Sequence, residues 1–166
     1  MNKISLLFIL SVLITFSAYA QDDIKITHAP YLQNLGENEV TIVWTANKPS
    51  IGWVELAPDD GTHYYQTERP KFFNAKNGIK LTSTVHSVHL TGLKPGTRYR
   101  YRVYSQEVLS HVGWRVIYGN VAATSVYGKQ PLTFLTSDHS RQSVNFAMVN
   151  DIHGKSDLLE KLISHC

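Results

Sequence analysis

Residues 90–104 read Leu90-Thr91-Gly92-Leu93-Lys94-Pro95-Gly96-Thr97-Arg98-Tyr99-Arg100-Tyr101-Arg102-Val103-Tyr104. A Pro-Gly pair makes a tight turn, and the residues after it alternate between types as a β-strand with two different faces does. Tyr99 is the first inward residue after the turn. That is the arrangement of a tyrosine corner, whose hydroxyl bonds back to the backbone a few residues upstream and pins two strands at their junction. The expected role of Tyr99, Pro95 and Gly96 is structural. Arg98, Arg100 and Arg102 are expected on a wet face of the strand.

Outward from this corner, residues from about Ile24 to Thr136 read as β throughout, and no stretch keeps a helical period for three turns. Val40-Thr41-Ile42-Val43-Trp44 alternates, placing Val40, Ile42 and Trp44 on one buried face. Trp53 to Leu56 is the next expected strand, with Val54 and Leu56 inward, ending at Pro58-Asp59-Asp60-Gly61. Asp60-Gly61 and Asn77-Gly78 are turn signals of the positive-φ kind. Val85 to Leu90, Tyr99 to Tyr104 and Leu132 to Thr136 complete the set. Short strands separated by turns predict an antiparallel β-sandwich, because each sheet must bury one face against another. Gln106 to Lys129 exceeds what a plain sandwich needs. An extra hairpin is expected there, with Trp114, Tyr118 and Tyr127 either packing it onto the sandwich or offering a sugar-binding platform.

The N-terminus has a different grammar. Lys3, the apolar run Ile4 to Phe16 and Ala18-Tyr19-Ala20 predict a cleavable signal peptide over residues 1–20, hence an exported, periplasmic, cell-surface or secreted protein. The apolar run is shorter than the roughly 20 residues a bilayer span needs, so no stable membrane span is expected after cleavage. The formal net charge is only +3. It gives no electrostatic argument for nucleic acid or for an anionic membrane surface. Cys166 is the one cysteine of the 166-residue chain, so the sandwich relies on its apolar core and not on a disulfide.

Ser137 to Ser143 is polar and aperiodic, and residues 138–143 read as a linker in which His139 is solvated. Val144-Asn145-Phe146-Ala147-Met148-Val149 is largely apolar on both faces, as suits a central strand of a parallel sheet. Asn150-Asp151-Ile152-His153-Gly154 ends it. Ser156 then caps a predicted helix whose Leu158, Leu159, Leu162 and Ile163 form one apolar stripe. In open α/β sheets functional groups gather at the C-terminal ends of strands. Asp151 and His153 are therefore the candidate metal ligands, and a carboxylate with an imidazole suits Mn, Fe or Zn better than Ca. His86 and His89 stand three apart on one strand and point to opposite faces, so they do not chelate one ion.

Pro30-Tyr31-Leu32-Gln33, Val40-Thr41-Ile42-Val43-Trp44 and Leu90 to Tyr101 together resemble the N-terminal, fibronectin type III-like domain of purple acid phosphatases and their bacterial relatives. Asp151-Ile152-His153-Gly154 resembles the first motif of calcineurin-like metallophosphoesterases, which follow that domain in the same architecture. The resemblance implies a sandwich over 21–137, with Trp44 a structural residue of its core. It implies a linker over 138–143 and the opening strand and α-helix of an incomplete α/β metallophosphoesterase domain over 144–166. It also implies a phosphate-ester substrate and two metal ions in the complete enzyme (Fe, Mn or Zn), with Asp151 and His153 ligating one of them. A metal-bound hydroxide would attack phosphorus in line. His153 stands where purple acid phosphatases usually carry glycine, and Asn150 replaces a frequent glycine, so a generic two-metal phosphoesterase is the better match. The later motifs of that family have no counterpart here, and the chain by itself is expected to be inactive. The alternative is a stand-alone extracellular module binding protein or carbohydrate.

Overall fold

The structure is a computed structural model that describes residues 22–124, 128–140, 143, 157, 160 and 161. Its ordered elements are β1 (Ile26–Gln33), β2 (Glu39–Pro58), β3 (Lys71–Phe73), β4 (Ala75–Lys76), β5 (Ile79–Lys80), β6 (Thr82–Thr91), β7 (Arg98–Val112), β8 (Arg115–Ala123) and β9 (Leu132–Leu135). No helix is among these elements. The strand and helix expected over 144–166 fall almost wholly outside the described residues.

The two runs Val40–Trp44 and Trp53–Leu56 are not separate strands. They are the halves of β2, which is 20 residues long. Nothing between Thr45 and Gly52 turns the chain. A register shift between Thr45 and Ser50 lets β2 change neighbours there, next to Pro49, which has no N–H for a ladder. The first half pairs with β1 and β6, and the second with β3 and β7. β7 carries β9 along its first residues and β8 along its last. All these ladders are antiparallel. Hydrogen bonding is thus continuous through β2, and the sandwich is one sheet curled on itself.

The curl closes over a single apolar cluster. Val40, Ile42 and Trp44 from the first half of β2 meet Val54, Leu56, Tyr101 and Val103 from the other limb, with Val88, Leu90 and Phe134 filling in. The inward residues are those the alternation picked out, because a strand's period of two puts every second side chain on one face.

Two turns follow their sequence chemistry. Asn77 and Gly78 have φ of 52° and 79° and close the short β4–β5 hairpin. At the corner before β7, Lys94 N–H donates to the Tyr99 hydroxyl at 2.9 Å, five residues apart. The Tyr99 ring stacks on Phe134 with centroids 5.4 Å apart. Removing that acceptor in Tyr99→Phe should cost about 1 kcal/mol of stability while leaving the ring packing intact. Urea unfolding at pH 7 measures it, and an unchanged midpoint would show that the corner bond contributes nothing.

A polar seam lies inside the sandwich. His86 is fully buried beside Trp44, ring centroids 5.0 Å apart. Its Nε2 lies 2.8 Å from Ser50 Oγ and its Nδ1 3.3 Å from Asn74 Nδ2. Burial lowers its pKa to about 4. A Cβ on Gly52 would sit 2.5 Å from the His86 ring and 2.7 Å from Trp44, so only glycine leaves room for this pair.

Candidate functional site

Asp151 and His153, the candidate metal ligands, lie outside the described residues. Among the described residues no three His, Cys, Asp or Glu side chains converge as a metal site would need. His86 and His89 are on opposite faces of β6. One is buried in the seam; the other is exposed beside Thr41 Oγ1 (3.1 Å) and Glu39 (3.4 Å).

The arginine face of β7 corrects the expectation of a wet surface. Arg98 is exposed, but Arg100 and Arg102 are 7% and 3% exposed. Arg100 Nε donates to Pro58 O at 2.8 Å and its Nη2 to Asp60 at 3.0 Å, while Nη1 donates to Thr62 O. Arg102 Nη2 donates to Lys129 O at 3.0 Å, and its guanidinium lies over the rings of Tyr64 (5.3 Å) and Tyr65 (5.6 Å). The Tyr64 hydroxyl donates in turn to Glu55 O at 2.9 Å. Asp60 is held below the usual carboxylate range, first by the Thr62 hydroxyl and then by the Thr62 N–H. Between these loops is a concavity of about 650 Å³. Its two arginines spend donors on backbone carbonyls and stack on tyrosines. Chemically that arrangement fastens two loops over the outer face of the sheet.

The second place of interest is where the chain leaves the sandwich. Thr136 is buried; its hydroxyl donates to Lys94 O at 2.7 Å and accepts from Thr97 N–H at 2.9 Å. Ser137 N–H donates to Gly36 O and Gly96 N–H to Ser137 O, both at 3.0 Å. Gly96 has φ of 59°, and a Cβ there would come 3.0 Å from the Asp138 carboxylate. His139 was expected to be merely solvated. Its ring is exposed, yet its N–H donates to Glu37 at 2.9 Å and its Nε2 lies 3.2 Å from the same carboxylate. Residues Ser137 to His139 are therefore tied to the tyrosine-corner end of the sandwich.

The hairpin expected within 106–129 is formed by the distal part of β7 and by β8. It does not pack its tip onto the sandwich: Trp114 is 100% exposed. The burial of the arginines was beyond sequence reading, since alternation tells which residues share a face but not what covers it.

Among curated proteins none matches the chain. Twenty-three chains of solved structure do. One is from a computer-based redesign of a β-sandwich protein, 18% identical, with a TM-score of 0.41, covering 69% of this chain and 96% of that one. The family described as the purple acid phosphatase N-terminal domain matches residues 28–118, from within β1 to within β8. The span includes the whole of β2, the seam, the tyrosine corner and β7. The chain belongs to the purple acid phosphatase N-terminal domain family.

Proposed function

We propose that this chain is the leading part of an exported, metal-dependent phosphoesterase. In this reading the sandwich is a non-catalytic accessory domain, residues 138–143 are the linker, and Asp151 and His153 are the first metal ligands of the catalytic domain. The observation that carries the reading is the family match over 28–118, followed in the sequence by a strand, Asp-x-His and a helix pattern. That second segment has no use in a bare binding module. The tethered exit at Thr136–His139 supports it, since an accessory domain holds its neighbour through such a junction.

When bound, two metal ions would supply a hydroxide nucleophile and neutralise charge on the phosphoryl oxygens. The share of this chain is one carboxylate and one imidazole, and two ligands do not hold two metals. A 166-residue polypeptide is therefore expected to show no metal-dependent turnover of an aryl phosphate with Mn²⁺, Zn²⁺ or Fe. The full translation product of the gene is expected to turn over, and Asp151→Asn or His153→Asn in it to lose at least about a hundredfold. Its intact mass after secretion is expected to begin at Gln21. Full activity in the Asp151→Asn protein would refute the assignment, as would substantial turnover by the 166 residues alone.

A further inference from the structure

We propose that the β7–β8 hairpin is a lipid-docking arm that seats its tip in an anionic membrane surface. The arm concentrates exposed apolar side chains: Leu109, Val112, Trp114, Ile117, Tyr118 and Val121. Val112 is 74% exposed, and Trp114, in the turn after Gly113, is fully so. Ile117 and Tyr118 are adjacent in β8, so they point to opposite sides, yet both are exposed by more than two-fifths. A docked protein domain covers one face of a hairpin. A tip that carries exposed apolar side chains on both faces suits a medium that surrounds it, and tryptophan with its apolar body and polar N–H favours the membrane interface.

Charge points the same way. From residue 108 to residue 137 the sequence contains no Asp or Glu, while His111 and Arg115 flank the tip and pair across or next to Val116 and Val112. The carboxylates nearest the arm, Asp22, Asp23 and Glu107, gather at its base around Leu109 and Asn120, so the asymmetry is confined to the tip. An exposed cation beside an apolar tip complements anionic headgroups.

The tip also lies far from the point where the chain leaves the sandwich. β9 pairs Leu135 with Arg98, at the first residue of β7, and the chain exits there. The tip lies past the other end of the same 15-residue strand, roughly 45 Å of extended chain away. Seating only the tip, Val112 to Arg115, keeps Arg115 at headgroup level and leaves the outer edge of β8 with water and headgroups as hydrogen-bond partners.

Intrinsic fluorescence tests this on the purified chain, because Trp44 and Trp53 are buried and a change in environment reports Trp114. With vesicles of phosphatidylcholine containing about a third phosphatidylglycerol, emission should move to shorter wavelength and be quenched by lipids brominated near the interface. In vesicle co-sedimentation, Trp114→Ala should weaken partition about tenfold, and Arg115→Gln about fivefold with loss of the preference for anionic lipid. Absence of partition, or equal partition into neutral vesicles, overturns the proposal. So does a spectral shift without vesicles that grows with protein concentration, which would mark a second copy as the occupant. A shift produced by a soluble oligosaccharide would mark a sugar instead.

Discussion

Trp44→Ala is expected to lower the unfolding free energy by about 4 kcal/mol, the largest single loss we foresee in the sandwich. Trp44 is fully buried and belongs to the apolar cluster between the two limbs of the curled sheet. Its Nε1 donates to the buried Ser105 hydroxyl at 2.9 Å. One face of the indole lies against His86, and its edge is within reach of the place where a Gly52 side chain would be. Truncation therefore opens a cavity at the point where β2, β6 and β7 meet, and leaves the Ser105 hydroxyl without its donor in an apolar setting. The cavity adjoins a buried imidazole, so collapse onto it is restricted and little of the loss is recovered. Small domains are stable by only about 5–15 kcal/mol, so a loss of this size lowers the thermal midpoint by about 20 °C. Calorimetry on the purified domain measures it. A fall of less than about 1 kcal/mol would mean that Trp44 is not the centre of this core.

Acid should weaken the domain by about 3 kcal/mol between pH 6.5 and pH 4, through His86 alone. The unfolded imidazole takes a proton near 6.5; the buried one does so only near 4, because burial penalises its charged form. Between these values the unfolded chain binds more protons than the folded one, so stability rises with pH. The contribution is fully present above 6.5, is lost as pH falls toward 4, and changes no further below that. Urea unfolding at pH 4.5 and 7.0 gives the slope. His86→Gln keeps a polar group beside Ser50 and Asn74 but does not titrate, so it should flatten the slope in this window while carrying a constant penalty. An equal slope in the two proteins would locate the titration elsewhere.

Much of the sandwich was legible along the chain. The inward sets Val40, Ile42, Trp44 and Val54, Leu56, the Asn77-Gly78 hairpin and the tyrosine corner at Tyr99 each follow from local chemistry: period two, positive φ and a hydroxyl facing a nearby N–H. The continuity of β2 was not legible, because an extended segment such as Ala46–Pro49 carries no mark of whether its partners change. His86 reads as any strand histidine until Ser50 and Asn74, far off in sequence, are brought to its two nitrogens. Of the candidate site, Asp151 and His153 were named from a motif and its place after a strand, and the described residues do not reach them.

By itself the sequence determined the strand faces, the turns and the family, since all three depend on neighbours within a few positions or on short motifs. Only the tertiary structure decided that Arg100 and Arg102 are roofed by loops while Trp114, among the described residues, is fully exposed. The reason is physical: alternation sorts side chains onto faces, whereas burial depends on which distant segment comes to lie on each face.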